Sequence, residues 1–355
     1  MRLGIIGLPQ SGKTTIFNAL TGGKRPATSS RGRFEIHTAV VDVPDDRLEA
    51  LSNHFKPEKT IHAKVTYGDI AGLDVGSSTD LPGSLINQLA QMDGFLHVVR
   101  CFEDEGFPHT MGSVDPQRDM DAMDAELLLN DLIAVERKRE RLIDERRKGG
   151  GRDKAEIERE KALFDTLHQQ LSSEIPLRDM DFSADDLKIL SGYGLLTLKP
   201  VLIVLNLGEE QSAPDVEFRH RKGAVVDIKG KLEMEIAQLP PDEASIFLQE
   251  YGISEPSLKR VIRLSYELLG LLTFFTIGSD EVRAWALPRG STAHQAAGEV
   301  HTDLQKGFIR AEVITWEDLI SLGSLGEARS KGRLRLEGKD YQVKDGEVIQ
   351  VRFHI

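Results

Sequence analysis

Cysteine occurs once in this 355-residue chain, at Cys101, which excludes both an internal disulfide framework and a cysteine-based zinc site. A reducing compartment fits that scarcity. No apolar run approaches the about 20 residues that a membrane span requires, and the opening MRLGIIGLPQ enters strand-like sequence without a basic leader, a long apolar region or a cleavage site. A cytoplasmic protein without a membrane partner is expected. Positive charge is also in deficit: the formal net charge is -12, so any contact with a polyanion must come from local basic groups. What the chain has in quantity is core-forming and surface-forming material, 40% hydrophobic and 29% charged residues over a length that implies two or three domains.

Arg2 to Ile6 reads as a short buried strand, Gly7 to Thr14 spells GLPQSGKT, and Thr15 to Leu20 continues as a helix ending at Gly22-Gly23. This is GxxxxGKT in the strand-loop-helix setting that gives the motif its meaning. Gly7 and Gly12 allow the tight turn in which the N–H groups of Pro9-Gln10-Ser11-Gly12-Lys13-Thr14-Thr15, proline excepted, converge on phosphate oxygens at a helix N-terminus. Lys13 is expected to reach the β- and γ-phosphates, and the Thr14 hydroxyl to ligate Mg²⁺. Downstream, Lys64 to Tyr67 is strand-like and leads into Asp69-Ile70-Ala71-Gly72, a DxxG pattern: Asp69 suits the Mg²⁺ shell and the Gly72 N–H the γ-phosphate. Leu73 stands where many GTPases place a water-orienting Gln. Leucine cannot hydrogen-bond water, so hydrolysis must use another group or be slow. The nearest residue that titrates near neutrality is His109, in CFEDEGFPHT, with an idle surface loop as the alternative.

A second site sits after the apolar run from Pro200, in VLNLGEE. A guanine reader carries Asn-Lys-x-Asp here, and this chain has Asn206, Leu207, Gly208 and Glu209. Guanine is read by an Asp that accepts from N1–H and the N2 amine, with a Lys stem over the base. Adenine presents neither donor there. With the Lys gone and Glu209 one methylene longer, the loop suits adenine better, while Asn206 can serve either base.

These stretches resemble one family nearly end to end: the YchF-type, Obg-like ATPases of the translation-factor-related P-loop class. The matching segments are GLPQSGKTTIFNAL, VPDDRLEAL, KPEKT, DIAGL, HVVRCFE, LLTLKP, NLGEE, GISEPSLKRVI, EVRAWALPRGSTAHQAAGEVHTDLQKGFIRAEVI and EGKDYQVKDGEV. The resemblance implies an α/β P-loop NTPase domain, an inserted antiparallel helical arm and a C-terminal β-grasp domain of the TGS type. It also implies hydrolysis of ATP in preference to GTP, a hydrophobic residue at the glutamine position, His109 as a catalytic candidate beside Lys13, and association with ribosomes. Lys229-Gly230-Lys231 falls on the family's second base-side loop and departs from its usual small residues. The switch I threonine is another departure: Arg33-Phe34-Glu35 occupies its place, with Thr28, Ser29 and Ser30 as nearby hydroxyls. Arg31 or Arg33 is either a cis arginine finger or, more plainly, part of a solvated loop.

The expected division is residues 1–122 and 195–272 for the P-loop domain, 123–194 for the arm and 273–355 for the TGS-like domain. In the arm, Leu128, Leu132, Val135 and Leu142 form one apolar stripe interrupted by Arg139, and Ile157, Phe164, Leu167 and Leu171 form the return stripe interrupted by Lys161. KGGGRDK turns between them, and the surrounding basic residues make RNA contact through the arm an expectation beside the plainer one of a solvated mixed-charge face. After Ser257 to Leu271, alternation takes over, with Val351, Phe353 and Ile355 on one strand face and Thr292 to Glu299 as the lone helix of the β-grasp. Lys306, Arg310, Lys331, Arg333 and Arg335 are its candidate contacts, beside the plainer reading of scattered surface residues that serve solubility. The chain is expected to act as a monomeric, Mg²⁺-dependent ATPase switch on the ribosome. A nucleotide-gated or nucleotide-inert RNA- or ribosome-binding scaffold with little hydrolysis and an ordinary GTPase remain as alternatives.

Overall fold

The computed structural model describes residues 1–22, 36–70, 82–148, 151–250, 253 and 255–354. The chain begins with β1 (Arg2–Ile6) and α1 (Lys13–Leu20), continues through β2 (Ile36–Asp42), α2 (Asp46–Phe55), β3 (Lys59–Ile61) and β4 (Lys64–Ile70), and then forms α3 (Gly83–Ala90) and β5 (Gly94–Arg100). Next come α4 (Pro116–Lys148), α5 (Lys154–Ser172) and α6 (Ala184–Leu190), followed by β6 (Val201–Asn206), β7 (Gly223–Ile228), α7 (Gly230–Gln238), α8 (Pro241–Glu250) and α9 (Ser257–Leu268). The rest comprises β8 (Leu271–Ile277), β9 (Glu281–Pro288), α10 (Ala293–Val300), α11 (Thr302–Lys306), β10 (Phe308–Thr315), α12 (Trp316–Leu322), α13 (Leu325–Ser330), β11 (Arg335–Glu337) and β12 (Glu347–Phe353). Contacts divide the chain into two bodies: residues 1–39 with 66–261, and residues 40–65 with 262–355.

The first body is built on a six-stranded sheet in the order β2-β4-β1-β5-β6-β7, with β1, β4, β5, β6 and β7 paired in parallel. All residues of β5 and β6 are buried, as in parallel strands covered on both faces; β6 is apolar up to Asn206, whereas β5 also buries His97 and Arg100. Each fully buried Val, Leu or Ile contributes roughly 1.5–3 kcal/mol from transfer out of water. The carboxyl ends of β1, β4, β5 and β6 carry the loops that form the site, the usual place for ligands in such sheets.

The arm is an antiparallel pair, α4 and α5, and its two stripes close on each other: Val135, Leu142, Ile157, Phe164, Leu167 and Leu171 share one core, with Leu128 and Leu132 packed at its side. The two charged interruptions share one partner. Arg139 and Lys161 both reach Asp165, each at 2.7 Å. Beside them, Glu160 pairs with Lys138 and Arg152 at 2.8 Å and accepts from the Tyr193 hydroxyl at 2.7 Å. The LLTLKP segment fastens the arm to the sheet. Asp131 of α4 accepts from the Leu196 and Thr197 N–H groups and the Thr197 hydroxyl, and Lys199 donates to the Leu89, Ala90 and Met92 carbonyls at the end of α3. Burial pushes the Lys199 ammonium down to about 8.

The second body is a six-stranded mixed sheet in the order β11-β10-β12-β8-β9-β3. Ala293 and Ala296 of α10 pack on Leu272, Phe274, Ala311, Val313 and Ile349, the arrangement of a β-grasp. The short β3 joins this sheet in parallel with β9. Within β12, Val351 packs at the core edge as its alternation suggests, whereas Phe353 on the same face is 43% exposed; Ile355 lies outside the described residues. Among the described residues no helix is long and apolar enough to cross a membrane.

Candidate functional site

The loop between β1 and α1 is shaped by backbone angles that most side chains resist. Gly7 has φ +149° and Gly12 +96°, and Gln10 also takes a positive φ of 62°. A Cβ on Gly7 would lie 2.3 Å from the Val98 carbonyl, and one on Gly12 would lie 2.2 Å from the Asn206 amide nitrogen. Only glycine fits either place. Gly12 caps α1 without a side-chain hydrogen bond, leaving the first-turn N–H groups directed at the loop mouth. Pro9 is half-buried and Gln10 exposed, and Ser11 is buried with its hydroxyl unpartnered among the described residues. The Lys13 ammonium donates to the Gly7 and Leu8 carbonyls at 2.9 and 2.8 Å.

Opposite the loop, the Thr14 hydroxyl donates to Asp69 at 3.1 Å. Asp69, at the end of β4, is 6% exposed. Burial raises its carboxyl above the ordinary range, opposed by the Thr14 hydrogen bond and the charges of Lys13 and His37. The cradle therefore fits a phosphate chain with a divalent cation on three counts: an orphaned buried hydroxyl at Ser11, two glycines with no room for a Cβ, and a buried carboxylate beside a hydroxyl. Gly72 and Leu73, like the switch I candidates Thr28, Ser29, Ser30, Arg31 and Arg33, lie outside the described residues.

The base-side loop joins this cradle through Asn206. Its Nδ2 donates to the Ser11 carbonyl at 3.0 Å and its Oδ1 accepts from the Gly230 N–H at 3.1 Å. The carboxamide that the sequence offers as a base reader thus also ties the phosphate loop to Lys229-Gly230-Lys231. A cleft of about 480 Å³ is lined by Thr15, Asn206, Leu207, Glu209, Lys229 and Lys231, together with Phe102, Leu232 and Met234. The Leu207 side chain is only 5% exposed and belongs to the apolar core, so it contributes a wall and not a stem across the cleft. Glu209 is held at both ends: Lys229 donates to its carbonyl at 2.5 Å and Lys231 pairs with its carboxylate at 3.1 Å. The sequence offered no signal for Leu232 and Met234. Phe102 was within reach, as the ring just past the end of a buried strand.

His109 is placed differently from an exposed catalytic loop. Its side chain is 2% exposed, Nε2 lies 2.7 Å from Asp119 of α4, and Nδ1 accepts from the Met111 N–H at 3.1 Å. Both ring nitrogens are occupied, so a part in hydrolysis requires the loop to release them.

The C-terminal YchF GTPase model, described as a protein of unknown function (DUF933), matches residues 271–354, and the 50S ribosome-binding GTPase model matches residues 2–138. A ribosome-binding ATPase YchF of Pasteurella multocida is 41% identical over 364 residues, covering 100% of this chain and 99% of the relative. The chain belongs to the YchF family. The Bacillus subtilis member, also named ribosome-binding ATPase YchF, is 38% identical with 99% of each chain covered. The solved structure of the Schizosaccharomyces pombe YchF GTPase superposes with a TM-score of 0.83 at 29% identity, covering 99% of this chain and 97% of that one. The fold is accordingly a P-loop GTPase-type α/β domain with the YchF C-terminal β-rich domain, and the site is that of a P-loop nucleotide-binding protein.

Proposed function

We propose that this YchF-family chain is a Mg²⁺-dependent, ATP-hydrolysing switch that binds ribosomes, acting in the cytoplasm as a monomer. The observation that carries the choice of base is the state of Glu209. Guanine recognition needs a carboxylate aimed at two base donors, and this one is paired with Lys231 at 3.1 Å while Lys229 holds the backbone carbonyl of the same residue. Leu207, sunk into the core, supplies no stem above the base. Lys13 and the loop N–H groups bind and orient the phosphates, and Thr14 with Asp69 would hold Mg²⁺, which supplies charge neutralisation on the phosphate oxygens. Ribosome binding rests on the names of the relatives and on the arm, where Arg137, Arg141 and Lys154 have no ion-pair partner among the described residues. The Lys13→Ala variant should lose ATP turnover by about 100-fold or more; unchanged turnover would refute the proposal.

One observation favours a second reading, tight binding with negligible turnover: the engagement of His109 with Asp119. Sedimentation with ribosomes separates the two, because a switch changes its ribosome affinity between the ATP-bound and nucleotide-free forms and an inert scaffold does not.

A further inference from the structure

Arg100 closes β5, in register with Asn206 of β6, and is 1% exposed. A buried guanidinium is costly unless its charge and its N–H groups find partners. Arg178 in the same body, equally buried, has a charge partner: it reaches the Asp124 carboxylate at 3.3 Å and the Lys199 carbonyl at 3.1 Å, with only its Nη2 left unpartnered. Arg100 has no carboxylate among the described residues, and its Nη1 and Nη2 are buried without a partner. What it does hold belongs to one residue. Its Nε donates to the Phe102 carbonyl at 2.9 Å, and its guanidinium carbon lies 4.7 Å from the Phe102 ring centroid. Phe102 in turn lines the cleft shared by Asn206, Leu207 and Glu209.

We propose that Arg100 is a positioning residue for the nucleotide base: buried behind the cleft, it fixes Phe102 as the ring wall against which the base stacks. This rests on the cleft being the base site. One hydrogen bond sets the backbone of Phe102 and the cation–π contact sets its ring, so the loop that carries the wall is held from below without any group of Arg100 entering the cleft.

Titration of the full-length protein with Mg²⁺-ATP and with Mg²⁺-tripolyphosphate, which has the phosphate chain and no base, tests the assignment. Arg100→Met is expected to weaken ATP binding by about three- to tenfold and to leave tripolyphosphate binding unchanged. Arg100→Lys, which keeps a cation but loses the planar group, should show the same selective loss and decides the matter where Arg100→Met does not fold. In a Phe102→Ala background, Arg100→Met should add nothing. Equal losses for both ligands, no loss for either, or additive losses with Phe102→Ala would overturn the assignment. A wild-type protein that binds tripolyphosphate but not ATP would contradict the base site itself, and one that binds neither would contradict the phosphate site.

Discussion

Replacing Asn206 by alanine removes a carboxamide that is 3% exposed and bonded at both ends, to the Ser11 carbonyl at 3.0 Å and to the Gly230 N–H at 3.1 Å. Both backbone groups would be left in a buried setting. An orphaned buried donor or acceptor costs about 1–3 kcal/mol, and the space vacated admits some solvent, so the two together should cost about 2–4 kcal/mol. The loss belongs to the protein without nucleotide, since neither bond involves a ligand. Urea unfolding of the nucleotide-free protein, followed by the fluorescence of a probe placed in the first body, should show the midpoint falling by the corresponding amount. Asn206→Asp keeps the acceptor for Gly230 but turns a carboxylate toward the Ser11 carbonyl, so it should be no better than alanine. If Asn206 served only to read the base, Asn206→Ala would leave nucleotide-free stability within about 0.5 kcal/mol of wild type and lower ATP affinity alone; that result would refute the bridging role.

Two further outcomes concern the arm. His220 sits between Asp124 of α4 and Asp179, 2.9 Å from each, with Arg178 nearby and Phe218 edge-on to its ring. The Asp124 hydrogen bond raises its pKa above the ordinary 6.5, against burial and with help from Asp179. A raised folded value means that its stabilisation is complete below about 6.5 and is lost as pH rises through the folded value; His97 nearby, pushed down to about 4 by burial, stays neutral throughout that window. Urea midpoints measured upward from about pH 6 should fall in wild type and flatten in His220→Gln, and parallel slopes would refute the stabilisation assigned to the His220 ion pairs. Glu160 behaves oppositely: against burial that would raise it, hydrogen bonds from Lys138, Tyr193 and Arg152 draw it down from 4.5 to about 2. Its contribution is present above about 4.5 and lost as pH falls through about 2. Glu160→Gln should therefore loosen the arm at neutral pH, seen as faster amide exchange in residues 135–171, and should remove part of the acid sensitivity that wild type shows.

The parts of the fold that were legible in the sequence are those set by local pattern. GLPQSGKT between an apolar strand and a helix, and two stripes at helical spacing around a glycine turn, each require only their own neighbours to be read. Arg139 looked like a flaw in its stripe because its partner, Asp165, lies on the other helix and meets it only when the two are side by side, whereas the Lys161–Asp165 pair is an i,i+4 neighbour within α5. Distance along the chain hid the rest. Nothing in the three residues Lys59–Ile61 announces that they pair with β9, and nothing in NLGEE announces that Asn206 reaches back to Ser11 or that Lys229 and Lys231 occupy Glu209. His109 was legible as a titratable residue after a strand, but its burial against Asp119 depends on where α4 begins to pack.

The proposed preference for ATP over GTP rests on the Glu209 carboxylate being paired with Lys231 and on Leu207 being withdrawn into the core. Calorimetric titration of ATP and GTP, each with Mg²⁺ on the same preparation, measures this directly, with Leu207→Lys combined with Glu209→Asp as the paired variant. The expected result is tighter binding of ATP by the wild type and a shift toward GTP in the variant. Tighter binding of GTP by the wild type, or a variant with unaltered preference, would contradict it.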